Sequence, residues 1–339
     1  MNYLQKRPNI VCIGGGTGLP TILSGLVGHA ELTAIVTVTD DGGSSGYLRQ
    51  AFNMPPPGDI RNALVAMAQP NSPLSALCQY RFPQTSFFSG HPLGNLMLTG
   101  LMQMTNDFAQ AVENLSQLMG IRGQVLPAST ELIHLKAELT DGSTVHGECH
   151  IRQARKKIKQ LTLIPDEPIP LPQALSTIHA ADLIVIGPGS LYTSILPNLL
   201  IPKIKTALQK TSAPKLFICN IMTEPGETDN FTASDHITTL HKYLSEDFFN
   251  YVLVNTGTPD QVMLKRYTNK KQHLVTPNTI LNKKEQPYQI LTDNLYSSSN
   301  FLRHDPAKVC QHVLTILKHR QAGQHYCRLP PLLKKNLPN

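Results

Sequence analysis

A cluster of glycines near the N-terminus is the part of this sequence best suited to chemistry. The apolar run Asn9–Ile13 predicts a buried strand, and it is followed directly by Gly14, Gly15, Gly16, Thr17 and Gly18. Glycines after a strand let the backbone approach a phosphate, and N–H groups at the start of the next helix can receive its charge. The dinucleotide fingerprint would need glycine at Leu19 or Thr21, and the P-loop would need Gly-Lys-Ser/Thr. We interpret this segment as a phosphate-binding turn of unusual sequence.

Two consecutive aspartates follow the next strand-like run, Leu32–Val38. A second parallel strand would bring Asp40 and Asp41 to the same edge of the sheet as the glycines. Three interpretations stay open: the carboxylates accept hydrogen bonds from ribose hydroxyls, cap a turn, or hold a Mg²⁺ ion that bridges phosphates. Asp59 could join them as a third metal ligand. The pattern favours hydroxyl binding or capping over metal binding.

Later strand-like runs also end in polar loops. The runs Leu183–Ile186, Lys215–Cys219 and Tyr251–Val254 are continuously apolar, which is typical of buried parallel strands. Ser190 does not fit the G-x-S-x-G pattern of hydrolases, so its loop is interpreted as a second anion-binding turn. The polar residues after these runs are candidates for the far wall of a ligand site: Gly189, Ser190, Asn220, Thr223 and Asn255.

Polar residues after the aspartates are candidates for binding or for structure. Arg61 and Asn62 could bind a phosphate or a carboxylate. An ordinary surface position is an equally open interpretation for Arg61 and for Arg49. His91 has no serine or cysteine in a nucleophile context beside it in the sequence. Asn95 is predicted to cap a helix.

Composition restricts the class of protein. The chain has 339 residues, a hydrophobic fraction of 41% and a net charge of +7, which suit a globular protein with acidic partners. Its basic residues cluster only in Arg152–Lys159, where no aromatic residue interleaves, so we expect no nucleic-acid partner. The absence of a signal core and of an apolar run near ~18 residues predicts a cytoplasmic protein without a membrane span. Buried thiols are expected at Cys12, Cys149 and Cys219, which lie in strand-like runs.

The apolar spacing between the motifs predicts alternating helices and strands. With glycine loops after the strands, it indicates an α/β fold with a Rossmann-like, doubly wound, mostly parallel sheet. Residues 40–58 are predicted to form a long loop, because Pro55, Pro56 and Pro57 exclude a helix interior. One helix is predicted over 19–26 and another over 107–119. Two more are predicted to begin at Asp59, as the N-cap residue, and near Asn95.

An antiparallel hairpin region is predicted to interrupt this fold over about 124–165. Apolar and polar residues alternate over 133–139 and 145–151, and Asp141-Gly142 supplies a turn between them. The hairpin could provide the edge of a homodimer. The chain is predicted to form one domain over 1–322 that carries this insertion, followed by a flexible tail over 323–339.

Seven short motifs are spread in order over nearly the whole chain: Gly14–Leu19, Thr39–Gly46, Pro57–Asn62, Leu93–Leu96, Gly187–Ser194, Asn220–Thr228 and Leu302–Pro306. As a set they resemble those of the YvcK-type gluconeogenesis factors. More distantly, the fold and the glycine and aspartate motifs are similar to the CofD 2-phospho-L-lactate transferases of deazaflavin coenzyme biosynthesis. Two positions depart from the pattern: Glu224 stands where Gln is expected, and Ile221 where Val is expected.

The resemblance implies a Rossmann-like cytoplasmic protein that is needed for growth and cell shape on gluconeogenic carbon sources and is linked to peptidoglycan synthesis. It also implies a binder of UDP-sugars such as UDP-N-acetylglucosamine. The first hypothesis is therefore a regulatory protein without turnover, which requires no cofactor and acts through an unidentified cell-wall synthesis protein. In it Gly14–Thr17 hold a diphosphate, Asp40 and Asp41 contact hydroxyls, Tyr267 stacks on the base, and Arg303 meets an anion or uracil.

The second hypothesis is a CofD-like phosphotransferase. In this case Asp40, Asp41 and Mg²⁺ would activate an acceptor hydroxyl. The carboxylates beside a glycine loop motivate it. The two hypotheses differ in whether the ligand is turned over and whether a metal is required.

Overall fold

In the part of the chain that the structure describes, ten strands form two separate sheets, and the larger sheet is parallel. The computed structural model describes residues 7–83, 85, 86, 88–277, 286–297 and 301–321. The larger sheet has seven strands and the smaller has three. In chain order the strands are β1 (Asn9–Gly14), β2 (Glu31–Val36), β3 (Gln124–Pro127), β4 (His134–Leu139), β5 (Thr144–His146), β6 (Ile158–Ile164), β7 (Leu183–Ile186), β8 (Lys215–Ile218), β9 (Tyr251–Asn255) and β10 (Gln289–Asp293).

The strand order of the large sheet creates a crevice next to β1. The order is β10-β9-β8-β7-β1-β2-β3, so the chain runs outward from β1 in one direction and returns to its other side at β7. β1 pairs in parallel with both β2 and β7. At such a switch point the loops after the two strands diverge, and ligands of doubly wound sheets bind in the opening. The predicted fold class is therefore confirmed, and the two glycine loops lie side by side.

Helices cover both faces of this sheet. Ile10 and Cys12 of β1 pack into a core under one helical layer, whereas Val11 and Ile13 pack into a second core on the other face. Because both faces are buried, the strand is apolar at consecutive positions. The helices are α1 (Gly18–Leu26), α2 (Gly43–Phe52), α3 (Gly58–Met67), α4 (Pro73–Gln79), α5 (Leu93–Thr105), α6 (Phe108–Leu118), α7 (Glu148–Ala154), α8 (Pro172–Ala180), α9 (Leu196–Leu200, preceded by a π-helical turn, Leu191–Ile195), α10 (Pro202–Lys210), α11 (Ala233–Tyr243), α12 (Gln261–Thr268) and α13 (Pro306–Gln321).

Helix α2 lies inside the segment predicted to be a loop, so that prediction is wrong. The prolines that suggested a loop begin only after the helix ends at Phe52. Its buried side chains are Ser45, Leu48 and Arg49, which leave little apolar periodicity to detect. Arg49 donates to the Ile133 carbonyl oxygen at 2.5 Å, so this arginine is buried rather than on the surface.

Helix α7 replaces most of the predicted return strand of the hairpin. β5 ends at His146, and Gly147, with φ of +86°, turns the chain into the helix. The alternation over 145–151 is therefore not a strand pattern, and Ile151 is the buried residue of a short helix. For the same reason Cys149 is only partly buried, whereas Cys12 and Cys219 are buried as predicted.

The three-stranded antiparallel sheet, in order β5-β4-β6, packs into the core on one face of the large sheet. It begins at His134 rather than near 124, because β3 pairs in parallel with β2. Over the described ranges, no helix is long and apolar enough to cross a membrane. The predicted tail over 323–339 lies outside the described residues. The single domain and the homodimer stay predictions.

Candidate functional site

The loops after β1 and β7 open onto a cavity of about 520 Å³ at the carboxyl edge of the large sheet. Residues after β8, residues of α7 and the segments around 267–272 and 301–304 complete its lining. This volume lies within the range of small-molecule sites. The described lining carries both signs of charge, from Asp40, Asp59, Glu148, Glu224, Arg152, Lys270 and Arg303.

The glycine loop forms the first wall and touches the loop after β7 backbone to backbone. A Cβ at Gly18 would lie 2.4 Å from the Pro188 carbonyl oxygen, so only glycine allows this approach. Gly16 has φ of +62°, a conformation that favours glycine. Helix α1 begins at Gly18, and within the described residues no side chain caps it. The N–H groups of its first turn therefore form a positive end that can receive an anion.

One carboxylate of the chain already contacts the glycine loop. The Gly16 N–H donates to Asp59 Oδ2 at 2.7 Å. Asp59 lies in the first turn of α3, where Pro57 is the N-cap residue, so the predicted capping role of Asp59 is wrong. Burial, followed by the charge of Asp40, raises the pKa of Asp59 to about 7. Asp59 thus occupies the Gly16 N–H, which could otherwise donate to a ligand phosphate, and the Asp59 carboxylate can lose its charge near neutral pH.

The loop after β7 forms the second wall and is fixed to the loop after β8. The Gly189 N–H donates to Asn220 Oδ1 at 3.1 Å, and Asn220 Nδ2 donates to the Gly189 carbonyl oxygen at 2.9 Å. Ser190 Oγ donates to the Glu224 carboxylate. Burial raises the pKa of Glu224 above its usual range. The carboxylate that departs from the family pattern is thus paired with a hydroxyl within the same wall.

Helix α7 closes a third side and is tied to the large sheet by Asp41. Asp41 Oδ1 accepts the Cys149 N–H at 2.9 Å, in the first turn of α7. A Cβ at Gly147 would lie 2.2 Å from Asp41 Oδ2, so the carboxylate lies directly against the helix start. Asp40 instead lines the cavity and accepts the Gly42 N–H at 2.9 Å. Of the adjacent aspartates, Asp41 caps a helix and Asp40 is available to a ligand.

The α7 side of the cavity carries acids around one arginine. Arg152 Nη1 lies 3.8 Å from Glu148 Oε1, and Arg152 Nε lies 3.8 Å from Glu227 Oε1. Burial, followed by neighbouring carboxylates, raises the pKa of Glu148 to about 9 and that of Glu227 to about 8. Glu227 Oε1 accepts from Thr193 Oγ1 at 3.1 Å, while Oε2 is buried without a hydrogen-bond partner among the described residues. At neutral pH this wall therefore carries less negative charge than its composition indicates.

The outer rim combines aromatic and cationic groups. Tyr267 Oη accepts the Leu302 N–H at 2.7 Å, which joins the two rim segments. The Arg303 guanidinium carbon lies 5.7 Å from the centre of the Phe301 ring. His304 Nε2 donates to the Cys219 carbonyl oxygen at 3.1 Å, and burial lowers its pKa to about 4. The rim histidine is therefore neutral at physiological pH, and the positive charge of the rim comes from Arg303 and Lys270.

The structure brings about half of the predicted site residues to the cavity. Those that line it are Gly16, Thr17, Gly18, Asp40, Gly189, Ser190, Asn220, Tyr267 and Arg303. Those outside its lining are Gly14, Gly15, Asp41, Arg61, Asn62, Asn95, Thr223 and Asn255. Gly14 ends β1, and a Cβ at Gly15 would lie 2.4 Å from Thr37 Cγ2, so both support the loop from behind.

Arg61, Asn62 and Asn95 contact one another below the loops. Arg61 Nη1 donates to Asn95 Oδ1 at 3.2 Å, and Arg61 Nη2 donates to Asn62 Oδ1 at 2.5 Å. Asn95 lies inside α5, whose N-cap residue is Pro92, so the predicted capping role of Asn95 is wrong. This network fixes the packing of α3 against α5.

Thr223 and Asn255 bind neighbouring backbone. Thr223 Oγ1 accepts the His273 N–H at 2.9 Å, and Asn255 Oδ1 accepts the Leu295 N–H at 2.9 Å. Both side chains are buried. Each therefore fastens a later segment to the end of a strand.

The sequence patterns missed the charged residues of the α7 side. Glu148 falls in the run that is predicted to be a strand, and Arg152 in the basic run Arg152–Lys159, for which no ligand is predicted. Glu227 and His304 stand inside two of the seven motifs, which is the one signal that could have identified them.

The carboxylates beside the glycine loop do not by themselves form a metal site. No group of three or more His, Cys, Asp or Glu side chains in the described ranges is arranged to hold a metal ion. Asp40 and Asp59 are the carboxylates beside the glycine loop, and Asp41 is engaged with α7. An ion at this position would therefore need oxygen ligands from a bound phosphate, as Mg²⁺ commonly has.

Comparison with known proteins identifies close relatives over most of the chain. Residues 10–296 match the family model of the 2-phospho-L-lactate transferase CofD. The chain is 42% identical over 318 residues to the gluconeogenesis factor of Bacillus subtilis, covering 93% of this chain and 100% of that protein. It is 43% identical over 311 residues to the gluconeogenesis factor of Halalkalibacterium halodurans, covering 91% and 97%. A crystal structure of a UPF0052-family protein from Bacillus halodurans is similar with a TM-score of 0.86 at 42% identity, covering 91% of this chain and 99% of that one.

Proposed function

This chain belongs to the CofD-like family of gluconeogenesis factors, and we propose that it is a regulatory protein that binds a nucleotide sugar of the UDP-N-acetylglucosamine type without turnover. The observation that carries the proposal is the contact of Gly18 with Pro188 at the switch point of the sheet. It places the uncapped first turn of α1 and the Asn220-bound loop around Gly189 in one wall. Backbone amides in such a wall suit a diphosphate.

Each part of a nucleotide sugar has a matching group in the cavity. The diphosphate is expected beside Gly16–Gly18, with Arg152 and Lys270 supplying positive charge. The carboxylate of Asp40 suits sugar hydroxyls. Tyr267 and Arg303 offer a ring and a guanidinium for the uracil at the rim.

The regulatory part of the proposal rests on family membership and on the chemistry of the acids. Glu148 and Glu227, with pKa values raised to about 9 and about 8, are mostly protonated at neutral pH. We propose a cytoplasmic role in cell shape and peptidoglycan synthesis on gluconeogenic carbon, exerted on a cell-wall synthesis protein. The edge strand β5 is our candidate for homodimer contact.

A CofD-like phosphotransferase is the second candidate. The observation in its favour is the proximity of Asp40 to Asp59, since the charge of Asp40 contributes to the raised pKa of Asp59. A divalent ion held by these two carboxylates and by ligand phosphates would supply charge stabilisation during phosphoryl transfer.

Titration calorimetry with UDP-N-acetylglucosamine, with and without Mg²⁺, distinguishes the two functions. The regulatory proposal expects binding without metal and recovery of the intact UDP-sugar. It also expects Asp40→Asn to weaken binding of the sugar nucleotide by about tenfold, because a charged hydrogen bond is lost. Asp166→Asn, at an exposed position away from the cavity, is the matched control.

The contrary result comes from a turnover assay with nucleotide-activated phospholactate. Mg²⁺-dependent transfer that Asp40→Asn abolishes and Asp166→Asn preserves would replace the regulatory proposal with the phosphotransferase. If neither ligand binds, both proposals fail.

A further inference from the structure

A serine and a histidine outside the cavity lining form a second constellation. Ser44 Oγ lies 2.8 Å from His91 Nδ1, although the two residues are 47 positions apart in the sequence. Both side chains are partly exposed. A hydroxyl hydrogen-bonded to an imidazole nitrogen is the arrangement of a base-activated nucleophile.

The neighbouring amide of Asn95 holds Ser44 Oγ in place beside His91. Arg61 Nη1 donates to Asn95 Oδ1 at 3.2 Å, and because a guanidinium has only donors, the oxygen of Asn95 must face it. Asn95 Nδ2 therefore faces Ser44 Oγ, to which it donates at 3.0 Å. Asn95 fills one lone pair of the hydroxyl, and in the His91 tautomer with its hydrogen on Nε2 the ring nitrogen Nδ1 accepts the hydroxyl hydrogen.

The surroundings of Ser44 favour a negatively charged group. Ser44 is the second residue of α2, and within the described residues no side chain caps that helix. The first-turn N–H groups can stabilise an oxyanion that develops on an attacked centre. Arg61 lies behind Asn95, and burial, followed by the positive charge of Arg81, lowers the pKa of Arg61.

We propose that Ser44 is a nucleophile for phosphorus electrophiles, activated by His91. Ser44 Oγ forms a bond to the phosphorus of a phosphoanhydride, the phosphorus–oxygen bond to the leaving phosphate breaks, and that phosphate departs with the electron pair. The hydroxyl proton passes to His91 Nδ1. The product is a phosphoserine at the N-terminus of α2, where its charge is favourable. Asn95 and Arg61 are positioning residues, and none of the four lines the nucleotide cavity.

The test uses a fluorophosphonate on the full chain, followed by intact mass measurement and peptide mapping. Reaction forms the Ser44 Oγ–phosphorus bond and releases fluoride, so one adduct on Ser44 is expected. Ser44→Ala should lose the adduct, and His91→Ala should slow labelling by about 100-fold, as for a lost general base. Asn95→Ala, which leaves both reacting groups in place, should slow it by about tenfold.

Ser24→Ala is the matched control, because Ser24 Oγ donates to the Thr21 carbonyl oxygen at 2.8 Å and lacks a histidine partner in the described structure. This variant should label at the wild-type rate. Thermal unfolding of every variant separates loss of the nucleophile from loss of the fold. Wild-type protein that stays unlabelled overturns the proposal without any variant, and so does an adduct on another residue or a labelling rate unchanged by His91→Ala.

Discussion

The two sides of the cavity hold charge in different ways. On the side of β1 and β7, main-chain groups without ionisable hydrogens make the contacts, as where Gly18 meets Pro188 and where Gly189 bonds to the side-chain amide of Asn220. On the α7 side, the contacts join ionisable side chains, as where Arg152 lies between Glu148 and Glu227. The first side depends on geometry, and the second depends on protonation.

This difference assigns separate tasks to the two sides. Backbone amides keep their hydrogen at any physiological pH, so the glycine side should set how tightly a diphosphate binds. Asp59 beneath the glycine loop and Glu227 beside Arg152, with pKa values raised to about 7 and about 8, change charge close to neutral pH, whereas Glu148, with a pKa raised to about 9, changes charge at higher pH. They should set how affinity and stability vary with pH. The predictions below test this division, beginning with the largest effect.

Gly18→Ala should weaken binding of UDP-N-acetylglucosamine by about 100-fold. Its Cβ would lie 2.4 Å from the Pro188 carbonyl oxygen, so the two loops must separate and the amide wall is lost. Gly100→Ala is the matched control, because a Cβ there meets nothing within 4 Å. Calorimetry on both variants measures the difference. Equal affinities for the two variants would show that the backbone contact does not set binding.

Glu227→Gln should stabilise the protein by about 2 kcal/mol at pH 9 and have little effect at pH 5. The pKa of Glu227 is raised to about 8, so stability from its protonated form is present at low pH and is lost as pH rises through that value. Glutamine stays neutral and avoids this loss. Urea unfolding at the two pH values tests it. Glu131→Gln, at a partly exposed acid away from α7, should show no such pH-dependent gain.

Asp59→Asn should tighten metal-free binding of the UDP-sugar by about tenfold at pH 8 and leave it unchanged at pH 6. Because the pKa of Asp59 is raised to about 7, most wild-type molecules carry the charge at pH 8 and would repel a phosphate beside Gly16. The two affinity profiles should therefore converge below pH 7. Parallel profiles for wild type and variant would assign the pH dependence to another group.

Glu148→Gln should change affinity by less than about twofold at pH 7. The pKa of Glu148 is raised to about 9, so the wild-type side chain is already neutral at pH 7 and glutamine reproduces it. Above pH 9 the variant should retain affinity that the wild type loses. A large loss at pH 7 would mean that the carboxylate binds the ligand in its charged form.

The parallel sheet was predictable because its strands are buried on both faces. Continuous apolar runs such as Leu183–Ile186 cannot be surface segments, and the glycines after them mark the switch point. Helices α2 and α7 were not predictable in the same way. Each buries few apolar side chains, and α7 begins only because Gly147 adopts positive φ and Asp41 caps it.

The site was predictable where a residue acts near its own strand, and not where it acts through a distant partner. Gly16–Gly18 and Asn220 line the cavity because each follows the end of a buried strand. Asp41 could not be separated from Asp40, since its partner is a backbone amide 108 positions away. The pairing of Ser44 with His91 was hidden for the same reason.

The bond from Asp41 to α7 also determines which positions are free to diverge among relatives. Asp41 binds the main-chain N–H of Cys149, and every residue type except proline can offer that group. The residue at position 149 can therefore change without loss of the hydrogen bond to Asp41. The residue at position 147 cannot change, because its φ is +86° and a Cβ there would lie 2.2 Å from Asp41 Oδ2, and both conditions require glycine. The hydrogen bond that attaches α7 to the large sheet therefore tolerates substitution at position 149 but requires glycine at position 147.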